Sequence, residues 1–459
     1  MTAEDRVSIL LGDPKKAIIT MAIPLVMSLL VSEVNVLADR AWCSGLGDDV
    51  MSAIAVVIPI YLVIAGFGSG LGVGASAVIS RMIGADRQKD ASVALVQALL
   101  FGAAFGLVLI PILVLTQGGI LEIIGKENIL QLTEDYMLPY SMFAVFIVFN
   151  GVVSGVLTGQ GQTQYSMYMM LVQAASNMVL DPIFIYYFDM GLPGASIATV
   201  IATIFSMILG IVLLFSKKTY LKLNRSSFHY DNSSMRMLLV AGVPQMLEYA
   251  VMWSTNIILN CIVLMSAEGS HALTIYSVPD NLMDLIVIPA LAIGSALVPV
   301  ASSALGQREK PRMRKSFGIA LKLGIAAVFI LAIFVELFPE QFLFIFTYTG
   351  EMLDNRGEMV RILRIMCPYV VFFAFTPLCS GYLQALGHPS RSVIMALWRN
   401  LILIIFFLIA LPYSVEAIMV ALVVGHIFGA ISIMIVTLYT EKKVFKKLDN
   451  NEEIRSSSR

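Results

Sequence analysis

Twelve apolar stretches long enough to cross a bilayer recur between residues 17 and 439, and they restrict this chain's fold more than any other feature. A hydrocarbon core needs about 20 apolar residues to span it as a helix, and every backbone polar group inside must be paired within the segment. The stretches show no period-two alternation of the kind a membrane β-barrel requires. Charged residues make up only 13% of the chain, against about 25% in a soluble domain, too few to cover a water-facing surface. The expectation is an all-α integral membrane protein with helices at roughly 17–40, 52–82, 91–116, 137–158, 164–188, 193–216, 236–265, 272–305, 316–338, 361–386, 392–411 and 416–439. The first run is too long for a signal h-region and leads straight into further spans.

Basic residues set an orientation. With both termini in the cytoplasm, Lys15 and Lys16, then Arg81, Arg87 and Lys89, then Arg308 to Lys315, then Lys442 to Lys447 all lie inside. The loops between are acid-leaning, with Asp49, Glu134, Glu340 and Asp354. The positive-inside rule requires that asymmetry, and it points to a multi-pass protein of the cell membrane. Net charge is near zero, which favours no nucleic-acid partner. The four cysteines lack the close pairing of a zinc site and read as small buried residues.

The chain repeats itself. A basic stretch at 217–235 divides it, and on either side Ser154-Gly155-x-Leu157-x-x-x-Gly161 corresponds to Ser380-Gly381-x-Leu383-x-x-x-Gly387. Pro24 corresponds to Pro244, and Gly72 with Gly84 to Gly294 with Gly306. Six helices per half give both halves the same polarity, so the expected plan is two pseudo-symmetric six-helix lobes, 1–222 and 223–459, related by an axis along the membrane normal. Transporters of this build hold substrate between the halves and rock them to alternate access.

Ionisable groups at membrane depth are costly and mark functional positions. Asp39 lies near the outer end of the first helix with Asn35 one turn below on the same face. Asn177 and Asp181 share a face of the fifth helix, and Thr199 reaches a similar depth on the sixth. Asp39, Asn177, Asp181 and Thr199 therefore offer one set of oxygen ligands for Na+. Equally, two neighbouring carboxylates can hold a proton between them, so the coupling ion is Na+ or H+. Pro24 and Pro182 each remove a helix hydrogen bond and permit a bend beside this set.

The second half carries a different polar set. Asp280 and Asp284 share a face and either line a cavity for a cationic substrate or pair with Arg399. Asn35 and Glu33 are the first-half candidates for the same cavity. Glu248 reads as a group near the cytoplasmic end of its helix that reaches the interface. His426 reads as a satisfied interhelical hydrogen bond.

The residues also carry a resemblance. Leu37-Ala38-Asp39-Arg40-Ala41-Trp42-Cys43-Ser44-Gly45-Leu46-Gly47 is similar to the first-helix signature of the multidrug and toxic compound extrusion (MATE) family. So are Gly72-Val73-Gly74-Ala75-Ser76, Gly159-Gln160-Gly161-Gln162-Thr163 and Asn177-x-x-x-Asp181-Pro182-Ile183-Phe184, in order along the chain. The first and last of these look closest to the archaeal and DinF-like branch. That resemblance implies a first-half site at Asp39, Asn177, Asp181 and Thr199 for sodium or a proton. It also implies a monomeric antiporter that exports small cationic or amphipathic substrates across the lipid bilayer without a cofactor. The nearest rival is a lipid-linked precursor or polysaccharide flippase of the same superfamily. A membrane-embedded enzyme is more remote, because the cytoplasmic loops are basic and no HExxH sequence is present.

Overall fold

A computed structural model describes residues 3–124, 129–216, 219–344, 347 and 351–457. Lys217 and Lys218, at the start of the dividing stretch, lie outside the described residues. The described chain is helical, with no strand. The first half holds α1 (Ala3–Leu11), α2 (Pro14–Cys43), α3 (Asp48–Gly84), α4 (Gln88–Ile124), α5 (Leu130–Met142), α6 (Ala144–Gly159), α7 (Thr163–Pro182) and α8 (Gly191–Phe215). The second begins with α9 (Asn232–Leu264), α10 (Ser270–Gln307), α11 (Lys310–Leu337) and the short α12 (Pro339–Phe344) and α13 (Glu351–Asp354). It ends with α14 (Arg356–Met366), α15 (Tyr369–Phe373), α16 (Phe375–Ala385), α17 (Pro389–Ala410) and α18 (Val415–Ser457).

Ten of these helices are long and apolar enough to cross a membrane, or twelve when two bent pairs each count as one span. The bent pairs correct the sequence expectation of continuous helices at 137–158 and 361–386. Helices α5 and α6 meet at 52°, and α14 meets the Tyr369–Ala385 segment at 41°. Proline stands at the second break and one turn before the first. Pro139 sits in the last turn of α5 and Pro368 lies between α14 and α15, and neither can donate a backbone hydrogen bond. Two further corrections concern length. A separate helix, α1, precedes the first span, and α18 runs about five turns past the expected end at 439.

The repeat motifs become equivalent contacts. A Cβ placed on Gly155 would lie 2.2 Å from the backbone of Gly72, and one on Gly381 would lie 2.5 Å from that of Gly294. The same close backbone crossing therefore occurs in each half, which only glycine permits. Ser166 Oγ donates to Ser154 O at 2.9 Å in the first half, while Ser392 Oγ lies 2.7 Å from Ser380 Oγ in the second.

The halves exchange partners at the end of the bundle that carries the basic loops. Ala17, Ile18, Met21 and Ala22 of α2 join the core built by α10 and α11, where they meet Leu297, Val300 and Phe317. Reciprocally, Leu238 and Met246 of α9 join the first-half core beside Leu71 and Ala75 of α3. Between these crossings α3 and α10 meet backbone to backbone. A Cβ on Gly84 would lie 2.1 Å from Ser303 O, and one on Gly306 the same distance from Arg81 O. Arg81 Nη2 then donates to Ala385 O at 3.0 Å, so a first-half cation caps the C-terminus of α16 in the second half. The halves are thus sealed together at the basic end.

Candidate functional site

Three helices of the first half converge on one polar cluster near the other end of the spans. Helix α2 supplies Asn35 and Asp39 one turn apart, α7 supplies Asn177 and Asp181 with the same spacing, and α8 supplies Thr199. After Asp181 the chain enters Pro182 and then a single π-helical turn, Ile183–Tyr187. A widened turn directly after a proline re-aims the preceding side chains, and such turns recur at functional sites.

Asn177 is the hub. Its Nδ2 donates to Asp181 Oδ1 at 2.8 Å and, more weakly, to Thr199 Oγ1 at 3.5 Å, while its Oδ1 accepts from Asn35 Nδ2 at 2.7 Å. Thr199 Oγ1 gives its own proton to Ala195 O at 3.0 Å, so it presents lone pairs to the cluster. The Asp39 carboxyl lies against that of Asp181. Asn35, Asn177, Asp181 and Thr199 are buried, and Asp39 is partly so.

The arrangement leaves three oxygens without a donor. Asn35 Oδ1, Asp39 Oδ1 and Asp181 Oδ2 are shielded from solvent and receive no hydrogen bond among the described residues. Buried acceptors are rarely left unpaired, because each forfeits its hydration. Two adjacent carboxyls carry a mutual repulsion as well. A hard cation or a proton relieves both costs, and the all-oxygen donor set suits Na+ as readily as H+. The described residues contain no group of three His, Cys, Asp or Glu fit to hold a metal ion, so amide and hydroxyl oxygens would complete a Na+ shell.

Three residues of this site were not singled out from the sequence. Tyr140 of α5 lies beside Thr199, Tyr61 of α3 packs on it with ring centroids 4.7 Å apart, and Tyr136 reaches it at 3.3 Å between hydroxyls. Tyr61 and Tyr140 belong to apolar runs in which a tyrosine reads as core, and Tyr136 lies just before such a run, beside Glu134 and Asp135. Asn35, expected to line a substrate cavity, is bonded into the cluster of Asn177 and Asp181 instead.

The second acid set lies between the halves. Asp280 Oδ1 accepts from Tyr369 OH at 3.3 Å, and Tyr276 stands beside it. Asp284, one turn on, is exposed and close enough to Glu33 of α2 for their charges to interact. Among the described residues none of the three acids forms an ion pair. The alternative partner Arg399 lies elsewhere, donating to Asn400 Oδ1 at 2.9 and 3.1 Å and stacking over Phe373.

Glu248 corrects its expectation. It is no interfacial group: Ser380 Oγ and Ser392 Oγ donate to its two oxygens at 2.8 and 2.7 Å. It lines a cavity of about 90 Å³ with Gln245, Gln384 and Arg399. The repeat itself carried the signal, since Ser380 and Ser392 stand where Ser154 and Ser166 stand in the first half. His426 Nδ1 lies 2.8 Å from Leu422 O of its own helix, and its ring packs against Tyr369 and Phe373. Its bond is local and not interhelical.

Comparison with known proteins agrees with this architecture. The chain is 23% identical over 425 residues to the multidrug export protein MepA of Staphylococcus aureus, covering 92% of this chain and 93% of that one. The fold superposes on a crystal structure of MATE in complex with MaL6 with a TM-score of 0.91 at 26% identity, covering 96% of this chain and 99% of that chain. An outward-facing MATE transporter of the MOP superfamily matches with a TM-score of 0.90 at 26% identity, covering 96% and 98%. The MatE family model matches residues 24–183 and 244–409, one segment in each half of the repeat. The chain belongs to the MatE family, and its place is among transporters, not enzymes.

Proposed function

We propose that this chain exports small cationic or amphipathic molecules by exchanging them for Na+ or H+. In this reading residues 1–222 and 223–459 are lobes that rock about the gap between them, and the basic end lies in the cytoplasm. The observation that carries it is the cluster of donor-less oxygens at Asn35, Asp39 and Asp181. Such a cluster binds an ion, lies apart from the acids that line the gap, and so permits ion and substrate to occupy different sites. MepA, described as a multidrug export protein, supports the substrate class. The seal at the basic end corresponds to a carrier open to the outside, where the motive force loads the coupling ion. Loading can drive a cycle only if the ion binds the two states unequally.

Counterflow in proteoliposomes tests the reading. Imposed Na+ and H+ gradients are compared for uptake of a fluorescent cation into inverted vesicles. Exchange is expected with at least one ion, and its absence with both would remove the proposal.

The substrate side has its own test. Glu33, Asp280 and Asp284 attract cations because they carry no ion-pair partner among the described residues. The double variant Asp280→Asn/Asp284→Asn is therefore expected to slow export of a cationic dye several-fold more than that of a neutral one. Equal loss of both would make the two residues structural.

Orientation is checked by labelling single cysteines in intact cells. Positions in 219–235 should be protected from an impermeant reagent, and positions near Asp354 should react. The reverse pattern would invert the topology.

A further inference from the structure

Helix α1 precedes the first span and lies across the seam between the halves. Its two buried residues serve different cores. Val7, 4% exposed, packs into the core of the first half, and Leu10, fully buried, into the core shared by α2, α10 and α11. Its polar contacts divide in the same way. Arg6 Nη2 donates to Gln164 Oε1 at 2.9 Å and its guanidinium stacks 4.6 Å over Tyr165, both in the first turn of α7. Four residues on, the Leu10 carbonyl accepts from the buried guanidinium of Arg312 on α11 and lies 3.4 Å from Ser303 Oγ of α10, whose proton goes to Val300 O at 2.9 Å. Asp13 continues the second set with an ion pair to Lys315 at 3.0 Å.

We propose that α1 is the latch of the basic-end gate, with Arg6 its releasing contact and Arg312 its anchor. This rests on reading the chain as an alternating-access carrier. Opening the Gly84–Ser303 and Gly306–Arg81 seam separates α7 from α10 and α11, and a helix of nine residues cannot stay bonded to both. The contacts decide which side lets go. On the second-half side a positively charged guanidinium sits at the carbonyl end of α1, where helix dipole and hydrogen bond act together, and Asp13–Lys315 adds to it. On the first-half side Val7 packs into the core, and the polar contacts of α1 are one side-chain hydrogen bond and one ring contact, both exchangeable for water. Arg6 therefore releases Gln164 and Tyr165, and α1 travels with the second half.

Spin labels on Lys89 and Glu309, exposed positions just past the seam on either half, report its opening without substrate or ion. In the full chain, Arg6→Ala is expected to enlarge the long-distance population severalfold, with Arg6→Lys in between. A pair Arg6→Cys/Gln164→Cys, joined by a bis-methanethiosulfonate linker about as long as the two side chains it replaces, ties α1 to the first half. Cross-linking should abolish the long-distance population and cut counterflow at least roughly tenfold, both recovering with reductant. An unchanged distance distribution in Arg6→Ala, or cross-linked protein that exports as well as reduced, overturns the latch. Distance shifts without counterflow in the parent chain would uphold the latch and remove the export reading instead.

Discussion

Asp39→Asn and Asp181→Asn are each expected to cut gradient-driven export by roughly tenfold or more while leaving the protein inserted and folded. The two carboxyls lie against each other, and both are linked through Asn177, the one directly and the other through Asp181. Neutralising either one lowers the site's charge and removes an ion ligand or the shared proton. Asparagine keeps the volume and can still accept from Asn177, so packing should survive. The check is counterflow in proteoliposomes beside a thermal-unfolding measurement on the same preparations. A shared site makes one further demand: the double variant should be hardly worse than either single one, because the second substitution acts on a site already lost. Additive losses would mean two independent sites. Asn177→Ala separates the ions. It should weaken a Na+ site strongly, since Asn177 orients Asn35, Asp181 and Thr199 together, and a proton site less than either Asp variant does.

Gly306→Leu is expected to have an effect of similar size by a different route. A Cβ at this position would already lie 2.1 Å from Arg81 O, a backbone atom that cannot swing aside. An isobutyl group therefore holds α3 and α10 apart and penalises the sealed state alone. Overpacking costs about 1–3 kcal/mol, which shifts a two-state ratio by roughly fivefold to 150-fold. Export should fall accordingly, and labels at Lys89 and Glu309 should report a longer distance. Gly318→Leu is the control, because nothing lies within 4 Å of a Cβ there. If Gly306→Leu leaves the distance distribution of the parent chain, the seam is not where the halves close.

Helix α2 joins the two regions. Its residues Ala17 to Ala22, near its N-terminus, pack with the second half, and Asn35 and Asp39, near its C-terminus, lie in the first-half cluster. An ion held at that cluster would therefore act on a helix whose other end belongs to the seal.

How much of this was legible in the residues alone follows from the range of the forces involved. Membrane spans, the repeat and the i, i+4 pairs Asn35/Asp39 and Asn177/Asp181 are local properties, set by hydrophobic run length and by 3.6 residues per turn. Depth along each helix follows from rise per residue, so Thr199 could be placed at the level of the acids before any packing was known. Which side chains actually meet is a property of helix rotation and of crossings between helices distant in sequence, and local pattern carries no term for it. Asn35 faces Asn177 and not the gap because α2 packs on α7. Glu248 finds two serines because α9 crosses α16 and α17, and Arg399 misses Asp280 because it lies on another face. The breaks at Phe143 and Pro368 had a sequence cause in proline, but proline permits a bend and packing decides whether it is taken. The sequence by itself determined the spans, the repeat and the chemistry available at each depth. Only the tertiary structure decided that three of those oxygens would share one donor-less cluster, and that α1 would lie across the closed seam. Helix formation in a bilayer is dictated by backbone pairing within each segment, whereas contacts between helices depend on shapes contributed by residues hundreds of positions apart.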